Sequence, residues 1–362
     1  MALFGSKSFI GVDIGSHAIK AVEVGSAGAR WRVLHAGVGP TPPGAVKEGA
    51  VVEPQALGLA VRQVLASSGI RAGRVVSAVG GQAVIVRELK LPPMTDSELK
   101  QAARFEAERY IPYGAKEVNM DFDVIGESVE EGQKKVVMLL VAARREIVDR
   151  HTQALLAAGL QPFVLDVESF AVMRALNAQA STNGEGATVF VDIGAESTDI
   201  MVTEGGEFRL TRNVNIGGDN LTKAVASRME MEFQSAAQVK EQKGTILLEG
   251  EPLPDDRTVL SVHDVMLPIL GDLATEIRRS LDYFQTRWRG SKVGKVVLSG
   301  GTANLRNLDR FLSLELGVPT VVGNPFVDVD VSDRVLPAGA REQAAPAMAT
   351  AVGLALRGAA ER

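Results

Sequence analysis

The sequence predicts an α/β protein built from two related lobes. Its 362 residues provide enough chain for two domains rather than one. Strand-like and helix-like segments alternate along most of the chain, which is typical of α/β architecture. The tetrapeptide Val-Asp-Ile-Gly occurs at residues 12–15 and again at 191–194, each time after an apolar run and before a small polar loop. A strand and turn repeated in this way indicate a duplicated structural unit.

The first 85 residues predict the core of the first lobe. Their apolar patterning indicates three strands, a helix that stops at Gly69, and two further strands. In chain order, these segments are 9–14, 18–24, 30–38, 53–70, 74–81 and 83–89. The first two strands are joined by a short turn that begins with glycine and serine, so they form a predicted hairpin.

Residues 86–160 predict an inserted α+β module. Thr95 and Glu98 have the spacing of a capping box at the start of a helix. Two strands follow, near 118–126 and 134–143, separated by a charged turn, and a helix over 145–160 completes the module.

The remaining chain predicts the second lobe and the return to the first. Residues 188–222 and 291–334 form the predicted core of the second lobe, and residues 223–290 form a mainly helical subdomain attached to it. Residues 161–187 and 335–362 are expected to complete the first lobe. The predicted second-lobe strands lie at 188–193, 198–204 and 207–214, with a strand, glycine turn and helix over 295–317.

The composition excludes several classes of function. A formal net charge of −5 and an aromatic content of 5% give no broad electrostatic or stacking reason to bind nucleic acid. The chain has no cysteine, which excludes disulfides, thiolate metal sites and a cysteine nucleophile. Since no run of eighteen apolar residues and no signal peptide is found, we expect a soluble chain in a reducing compartment.

Each Val-Asp-Ile-Gly turn contains the parts of a phosphate site. Gly15 and Gly194 lack a Cβ, so backbone N–H groups there can approach an anion closely. Asp13 and Asp192 would repel a phosphate directly, but each can hold Mg²⁺ through metal-bound waters. A single turn of this kind is more often purely structural, whereas two turns facing each other would clamp a polyphosphate and one magnesium ion. The other candidate ligands in the two turns are Ser16, His17 and Lys20, and Ala195, Glu196, Ser197 and Thr198.

Two further glycine turns extend this pattern. Gly217 and Gly218 precede a helix, where they either contact a nucleotide or form only a turn. Gly300 and Gly301 lie between a strand and a helix, so a flat base could rest against their backbone. The four turns in this order are more specific than any one of them.

The motifs together resemble the actin-like ATPase superfamily. "GVDIGSHAIKAVEV" is similar to its first phosphate motif, "FVDIGAESTDIMV" to its second, and "VVLSGGTANLRNL" to its adenosine motif. The resemblance covers nearly the whole chain and implies a two-lobed actin-like ATPase fold, made of duplicated ribonuclease-H-like domains with an FtsA-like inserted α+β module. It also implies ATP and Mg²⁺ between the lobes, with Asp13 and Asp192 holding the metal through water.

The resemblance implies roles for further residues. Glu168, at the start of the helix that links the lobes, would orient the attacking water, or it is only an acidic residue favoured by the helix dipole. Lys20 would bind phosphate, or it is a solvated strand residue. A solvated helix face is likewise the alternative for Lys240 and Glu241. The residues expected near the nucleotide are Gly217, Gly218, Lys240, Glu241, Gly300, Gly301, Thr302 and Asn304.

Three more stretches are similar to the PilM family of type IV pilus assembly. They are "LPPMTDSELKQAARFEAERYIPY" in the inserted module, "DVESFAVMRALN" in the linker helix and "ATAVGLALR" in the closing helix. The resemblance implies an ATP-binding scaffold in the bacterial cytoplasm, peripheral to the inner face of the membrane, that supports pilus biogenesis and twitching motility. Its implied partner is the N-terminal cytoplasmic tail of the membrane protein PilN. Other platform proteins, motor ATPases and self-association stay open.

The tail is expected to bind near residues 84–110. A predicted strand there offers an edge, and the outer face of the following helix carries Arg104 and Arg109. Two other functions stay open: an actin-like or FtsA-like filament or cell-division protein, and a sugar or acid kinase. Any hydrolysis of ATP by the scaffold is expected to be slow.

Overall fold

The structure of the chain is a computed structural model that describes residues 8–28, 30–111, 114, 117–130, 132–180 and 186–360. Its strands are β1 (Ser8–Ile14), β2 (Ala18–Ala27), β3 (Arg30–Pro40), β4 (Val46–Lys47), β5 (Ala50–Val51), β6 (Arg74–Val79), β7 (Val84–Leu91), β8 (Val118–Glu130), β9 (Gln133–Arg144), β10 (Gln161–Val167), β11 (Ala187–Ile193), β12 (Thr198–Glu204), β13 (Glu207–Val214), β14 (Val293–Ser299), β15 (Thr320–Val322) and β16 (Val329–Val331). Its helices are α1 (Pro54–Ser68), α2 (Asp96–Ala107), α3 (Arg145–Ala157), α4 (Glu168–Leu176), α5 (Gly218–Met229), α6 (Phe233–Lys243), α7 (Arg257–Arg287), α8 (Leu308–Leu316), α9 (Ala338–Ala344) and α10 (Ala349–Ala360).

Two sheets of matching topology confirm the predicted duplication. The first sheet has the strand order β10-β6-β1-β2-β3-β16, and the second has β15-β14-β11-β12-β13. In each, the central strand forms an antiparallel hairpin with the next strand and pairs in parallel with a later one. Each Val-Asp-Ile-Gly segment ends the central strand of its sheet. The two predicted clamps therefore occupy equivalent places in the two lobes.

The first-lobe sheet is buried on both faces. Val12 on β1 packs toward α1 and α3, whereas Val22 on β2 packs toward α10. A Cβ at Gly11 would overlap the backbone of α10, and one at Gly353 would overlap the backbone of α4. These glycines let α10 lie against both the central strand and α4, which fixes the base of the first turn.

The second lobe is organised by α7. Its buried residues recur at helical spacing and pack into the core beneath β11, β12 and β14. Among the residues that the structure describes, α7 is the one helix long and apolar enough, by length and composition, to cross a membrane. Its buried stripe, which includes Met266, Ile277 and Phe284, is the pattern of an amphipathic helix that packs on the core with one face.

The inserted module is a three-stranded sheet, β7-β9-β8, with α2 on one face. The predicted capping box is present: the Glu98 N–H donates to Thr95 Oγ1, and the Thr95 N–H donates to Glu98 Oε2. The opposite face of the sheet, which includes Val86 and Val141, joins a shared apolar cluster with Phe208 of the second lobe. The sheet of the module therefore packs on α2 with one face and on the second lobe with the other.

Two boundaries of the predicted division differ in the structure. α3, assigned to the module of 86–160, packs instead into the first-lobe core through Ala154 and Leu155. Helical periodicity shows that one face is buried but not what buries it. β16, inside the segment 291–334 assigned to the second lobe, pairs in parallel with β3 of the first sheet. A strand of three residues is too short to give a periodic signal.

The buried His151 on α3 predicts how the stability of the first lobe changes as the pH falls. It is 3% exposed, and burial lowers its pKa to about 4. Ser77 Oγ donates to the Val12 carbonyl at 2.6 Å, which leaves Ser77 Oγ to accept from His151 Nε2 at 2.8 Å. An unfolded histidine titrates near 6.5, so between these pKa values the unfolded chain binds more protons than the folded one. Stability is therefore lost as the pH falls from about 6.5 toward 4.

We expect His151→Gln to remove this loss, because the amide can still donate to Ser77 but does not titrate. Between pH 7.5 and pH 5, the parent should lose about 2 kcal/mol more than the variant. Urea unfolding of both proteins at the two pH values measures this difference. An equal loss in parent and variant would contradict the assignment of a neutral buried imidazole.

Candidate functional site

A cleft of about 650 Å³ lies between the two lobes, within the size range of small-molecule sites. Both Val-Asp-Ile-Gly turns open into it, together with the starts of α4 and α5 and the glycine turn after β14. The sequence-predicted residues that line it are Asp13, Gly15, Ser16, His17, Lys20, Glu168, Asp192, Gly194, Ala195, Glu196, Ser197, Gly218, Lys240, Glu241, Gly300, Gly301, Thr302 and Asn304.

The first turn is closed by its own backbone. The Gly15 N–H donates to the Ala18 carbonyl at 3.1 Å. Thr41, directly after β3, donates from its Oγ1 to the Gly15 carbonyl at 2.6 Å. Asp13 and Lys20 lie directly opposite each other across the β1–β2 pair. The hairpin therefore presents a carboxylate and an ammonium side by side at the cleft.

The second turn repeats this construction. The Gly194 N–H donates to the Ser197 carbonyl at 3.0 Å, and Asp192 lies directly opposite Asp199 across the β11–β12 pair. Here the position equivalent to Lys20 is a second carboxylate. The two turns thus share their backbone geometry but differ in charge.

Thr198 and Gly217 lie behind the cleft lining rather than in it. The Thr198 side chain is buried, and its hydroxyl donates to the Ile216 carbonyl at 2.6 Å. The Gly217 N–H donates to Asn220 Oδ1 at 2.9 Å, and a Cβ at Gly217 would meet the Ala195 carbonyl at 2.5 Å. Both residues hold the second turn against the start of α5, and their contact with a ligand stays a prediction.

Lys20 is not a solvated strand residue. Its Nζ lies 2.9 Å from Asp13 Oδ2, and the two side chains are only 18% and 9% exposed. Burial alone would lower the pKa of the Lys20 ammonium, but Asp13, and to a lesser degree Asp192 and Glu168, more than offset this and raise it. Lys20 therefore remains charged in the cleft.

Glu168 is the first residue of α4, and it lines the cleft. A Cβ at Gly80 would overlap the Glu168 carboxylate, so the glycine at the end of β6 makes room for it. Burial raises the pKa of Glu168 well above its ordinary value, and Asp13, Asp199 and Asp192 raise it further. The positive charge of Lys20 opposes this shift.

Asp192 and Asp199 extend the negative charge into the second lobe. Burial raises the pKa of Asp192, although Ser299 Oγ donates to its Oδ1 at 2.6 Å. Burial likewise raises the pKa of Asp199 to about 6, against a 3.0 Å hydrogen bond that Asn213 Nδ2 donates to its Oδ1. Four carboxylates, Asp13, Glu168, Asp192 and Asp199, therefore share one cleft with Lys20.

This donor set fits a hydrated magnesium ion. No group of three described histidine, cysteine, aspartate or glutamate side chains could hold a metal directly. Mg²⁺ commonly keeps several waters and takes only one or two carboxylates together with a phosphate. Glu196 Oε2 and Asn213 Oδ1 are buried acceptors without a hydrogen-bond partner, as expected where metal-bound waters would donate. The cleft thus offers carboxylates, and Glu196 and the neighbouring Asn213 add acceptors to them.

Part of the cleft lining is apolar. Leu221, Phe233, Ala237 and Leu305 line it beside the backbone of Gly301, whose Cβ position is open. Lys240 Nζ donates to the Gly218 carbonyl at 2.9 Å and so ties α6 to the start of α5. An apolar slot against open backbone suits a planar ring.

Sequence reasoning missed several lining residues. Asp199 had a usable signal, because it stands at the same offset from Asp192 as Lys20 does from Asp13. Phe233 had no such signal, since one aromatic residue at a helix start has many structural explanations. Gln343, Met348 and Thr350 reach the cleft only through the packing of the chain's last helices.

A family model and a solved structure match the chain over nearly its full length. The family model described as type IV pilus assembly protein PilM matches residues 11–359. Among solved structures, a PilM–PilN type IV pilus biogenesis complex is 34% identical, with a TM-score of 0.85 over 98% of this chain and 99% of that one. The cell shape-determining protein MreB of Haemophilus influenzae is 25% identical over 256 residues, which is 64% of this chain and 70% of that protein.

More distant structures share the fold alone. The ethanolamine utilization protein EutJ from Carboxydothermus hydrogenoformans is 19% identical, with a TM-score of 0.57 over 98% of this chain and 91% of that one. MreB5 of Spiroplasma citri, solved bound to ADP, is 12% identical, with a TM-score of 0.50 over 96% and 94% of the two chains. The predicted two-lobed actin-like fold is confirmed.

Proposed function

This chain belongs to the PilM family of type IV pilus assembly proteins, and on that premise we propose that it is an ATP-binding scaffold for a PilN tail. The observation that carries the ATP proposal is the interlobe cleft, in which two equivalent carboxylate-and-glycine turns face one ligand-sized space. The scaffold would act in the bacterial cytoplasm, held at the inner face of the membrane through its partner, in pilus biogenesis and twitching motility.

The proposed nucleotide lies along the cleft with its phosphates between the turns. Backbone N–H groups near Gly15 and Gly194 and the hydroxyls of Ser16 and Ser197 would bind phosphate oxygens. Asp13 and Asp192 are the candidate carboxylates for Mg²⁺, which supplies charge neutralisation for the phosphates when bound. The base would rest against Gly301 in the apolar slot. MreB5 of Spiroplasma citri, which shares the fold, was solved bound to ADP.

Hydrolysis, where it occurs, depends on Glu168. Its carboxylate is held in the cleft by the gap at Gly80, close enough to Asp13, Asp192 and Asp199 to be raised in pKa by them. A carboxylate in this place can orient a water and accept its proton. We propose that ATP turnover is slow and that the protein acts mainly in its nucleotide-bound state.

The proposed tail site is the outer surface of the module around β7 and α2. β7 is an edge strand of its sheet, and an extended peptide can add to such an edge through main-chain hydrogen bonds. α2 buries Leu99, Ala103 and Ala107 but leaves Phe105 74% exposed beside Arg104. An exposed aromatic next to an arginine is a frequent anchor of protein interfaces. The related solved structure of PilM with PilN supports the choice of partner.

Nucleotide binding would affect this surface through two apolar clusters that support the module, one on each lobe. One is the cluster of Val79, Ala143 and Ile147 on the first lobe, and the other is the cluster of Val86 and Phe208 on the second. A change in the angle between the lobes must therefore shift one support relative to the other. The expected coupling between ATP and the tail is several-fold in affinity.

We expect Phe105→Ala to weaken binding of a synthetic PilN tail peptide about tenfold, because it removes an exposed aromatic anchor. Arg104→Glu should weaken the same binding, and both variants should keep the parent's affinity for ATP. Isothermal titration with the peptide, with and without Mg-ATP, measures these affinities.

Tyr283→Ala is the matched control, since Tyr283 is 59% exposed on α7, outside the module. Point variants are preferable to deletion of residues 86–160, because α3 within that range belongs to the first-lobe core. The proposed tail site would be wrong if the Tyr283 control lost as much tail binding as the Phe105 and Arg104 variants. It would also be wrong if those two variants lost no tail binding.

A further inference from the structure

A run of cations begins at the end of the long helix α7. Residues 283–300 carry no acidic side chain and four cationic ones, which are Arg287, Arg289, Lys292 and Lys295. The chain as a whole has a formal net charge of −5, so this run differs in sign from the rest of the molecule. The helix dipole favours a cation in the last turn of a helix, which accounts for Arg287 but not for the three cations that follow α7.

Residues 287–295, which we call the basic turn, lie at the end of the second lobe farthest from the cleft. The Ser291 N–H donates to the Trp288 carbonyl at 3.1 Å, so the chain reverses directly after α7. The Ala187 N–H donates to the Lys292 carbonyl at 2.7 Å, which holds the turn beside the first residues of β11 and β14. Both strands run toward the cleft and end at its lining glycines. The length of β14 therefore separates the turn from the proposed nucleotide site by about 20 Å.

The basic turn presents its charge to solvent around an aromatic residue. Three of its cations are exposed, and the fourth, on β14, is partly buried. The Arg287 guanidinium lies 5.8 Å from the centroid of the Trp288 ring, and this ring stacks on the buried Phe284 with centroids 5.5 Å apart. The ion pairs found among the described residues include none of the four cations. The turn therefore offers positive charge beside an anchored indole ring.

The basic turn borders the inserted module, which carries the proposed tail site. Val297, two residues after the turn, packs into the apolar cluster that holds Val86 of β7 against the second lobe. Burial raises the pKa of Glu88 on β7, and Arg287 is among the cations that oppose this rise. Arg287 is thus partly offset by the module, whereas Arg289 lies beyond α7 and is exposed. The turn and the proposed tail site occupy neighbouring parts of the molecule.

We propose that the basic turn is a docking surface for anionic lipid headgroups at the membrane. This inference rests on the proposed function for its setting, because a tail that leaves the bilayer and binds the module brings the neighbouring turn toward the same surface. An anionic leaflet attracts each basic residue held close to it, and a cluster of four basic residues is enough for such recognition. Trp288 suits the same boundary, since an indole ring has an apolar body and a polar N–H. The turn then orients the scaffold, and the tail holds it.

The test uses the full chain and lipid vesicles, without any tail peptide. The double variant Arg289→Glu/Lys292→Glu is compared with Arg71→Glu/Arg228→Glu, which makes the same change of net charge at exposed positions outside the basic turn. Vesicles of phosphatidylcholine alone, and of phosphatidylcholine with an equal part of phosphatidylglycerol, serve as probes. Co-sedimentation at low and at high salt measures the binding constant. The thermal midpoint and the calorimetric ATP affinity of each variant show that it is folded.

We expect the parent to bind the anionic vesicles at low salt, to release them at high salt, and not to bind the neutral ones. Arg289→Glu/Lys292→Glu should lower the binding constant about tenfold or more. The control variant should lower it less than threefold, roughly, because charges far from the contact are screened. Equal binding by the two double variants, or no binding of the parent to anionic vesicles, would overturn the inference. So would binding of a polyglutamate peptide through Arg289 and Lys292 without vesicle binding, which would assign the turn to an acidic protein.

The proposed function and this inference fail in different ways. If the tail peptide and ATP bind but anionic vesicles do not, the scaffold stands and the basic turn is not a lipid surface. If anionic vesicles bind through the basic turn but neither the tail peptide nor ATP binds, the lipid surface stands and the scaffold proposal fails.

Discussion

Asp192→Ala is expected to weaken Mg²⁺-dependent ATP binding roughly 100-fold, or about 2–3 kcal/mol. The substitution removes a carboxylate from the centre of the cleft, where it faces both the phosphates and the proposed metal. It also leaves Ser299 Oγ without its acceptor. Because the carboxylate acts through a cation, the loss should appear with Mg²⁺ and shrink in EDTA.

Calorimetry of ATP binding, with Mg²⁺ and with EDTA, measures this effect. Asp13→Ala should weaken binding less, about tenfold, because it frees Lys20 from its ion pair and allows the ammonium to reach phosphate instead. Asp264, an exposed residue on α7, provides a control substitution to alanine that should leave ATP affinity unchanged. Unchanged affinity in both the Asp192 and Asp13 variants would rule out the clamp between the lobes.

Much of the site could be predicted because its chemistry is local in sequence. A strand that runs into an aspartate and a glycine specifies the hairpin, its tip and the direction of its carboxylate. The repeat then specifies two such tips, and the matching strand orders of the two sheets bring them to the same cleft. Local pattern and global fold agree at these positions, as expected for a minimally frustrated sequence.

The features that escaped prediction depend on contacts between distant segments. The packing partner of α3 is decided by the first-lobe core and not by the helix's own periodicity. Gly80 has an ordinary strand-end setting in the sequence, and its need for a missing Cβ arises only because Glu168, far along the chain, points at it. The buried position of Thr198 also escaped prediction, because a hydroxyl in a phosphate-like turn can equally well donate to the backbone.

Lys20 illustrates the limit of reasoning from a single strand. The sequence leaves it either at a phosphate or in solvent, since strand alternation alone does not say which face meets a cleft. Cross-strand register places it opposite Asp13, and burial makes that pairing unavoidable. The ion pair then keeps the Lys20 ammonium beside Asp13 in the cleft.

Glu168→Gln is expected to lower single-turnover ATP hydrolysis by roughly 100-fold or more while leaving ATP binding intact, because the amide cannot accept a proton from water. Burial and the neighbouring Asp13, Asp199 and Asp192 raise the pKa of Glu168, so the free carboxylate forms only as the pH rises through that raised value. Hydrolysis by the parent should therefore increase with pH, and the residual rate of the variant should not. Binding should be equal or tighter in the variant, since one negative charge near the phosphates is removed.

A second substitution tests whether hydrolysis depends on the position of the Glu168 carboxylate and not only on its presence. Gly80 has an extended backbone that alanine also adopts, and the three atoms nearest to its added Cβ all belong to the flexible Glu168 side chain. Gly80→Ala should therefore displace Glu168 without removing it, and should lower hydrolysis while keeping ATP affinity and the thermal midpoint near those of the parent. If Glu168 is only an acidic residue favoured by the dipole of α4, both variants will hydrolyse ATP at the parent's rate at every pH, and Glu168→Gln will instead show a small loss of stability.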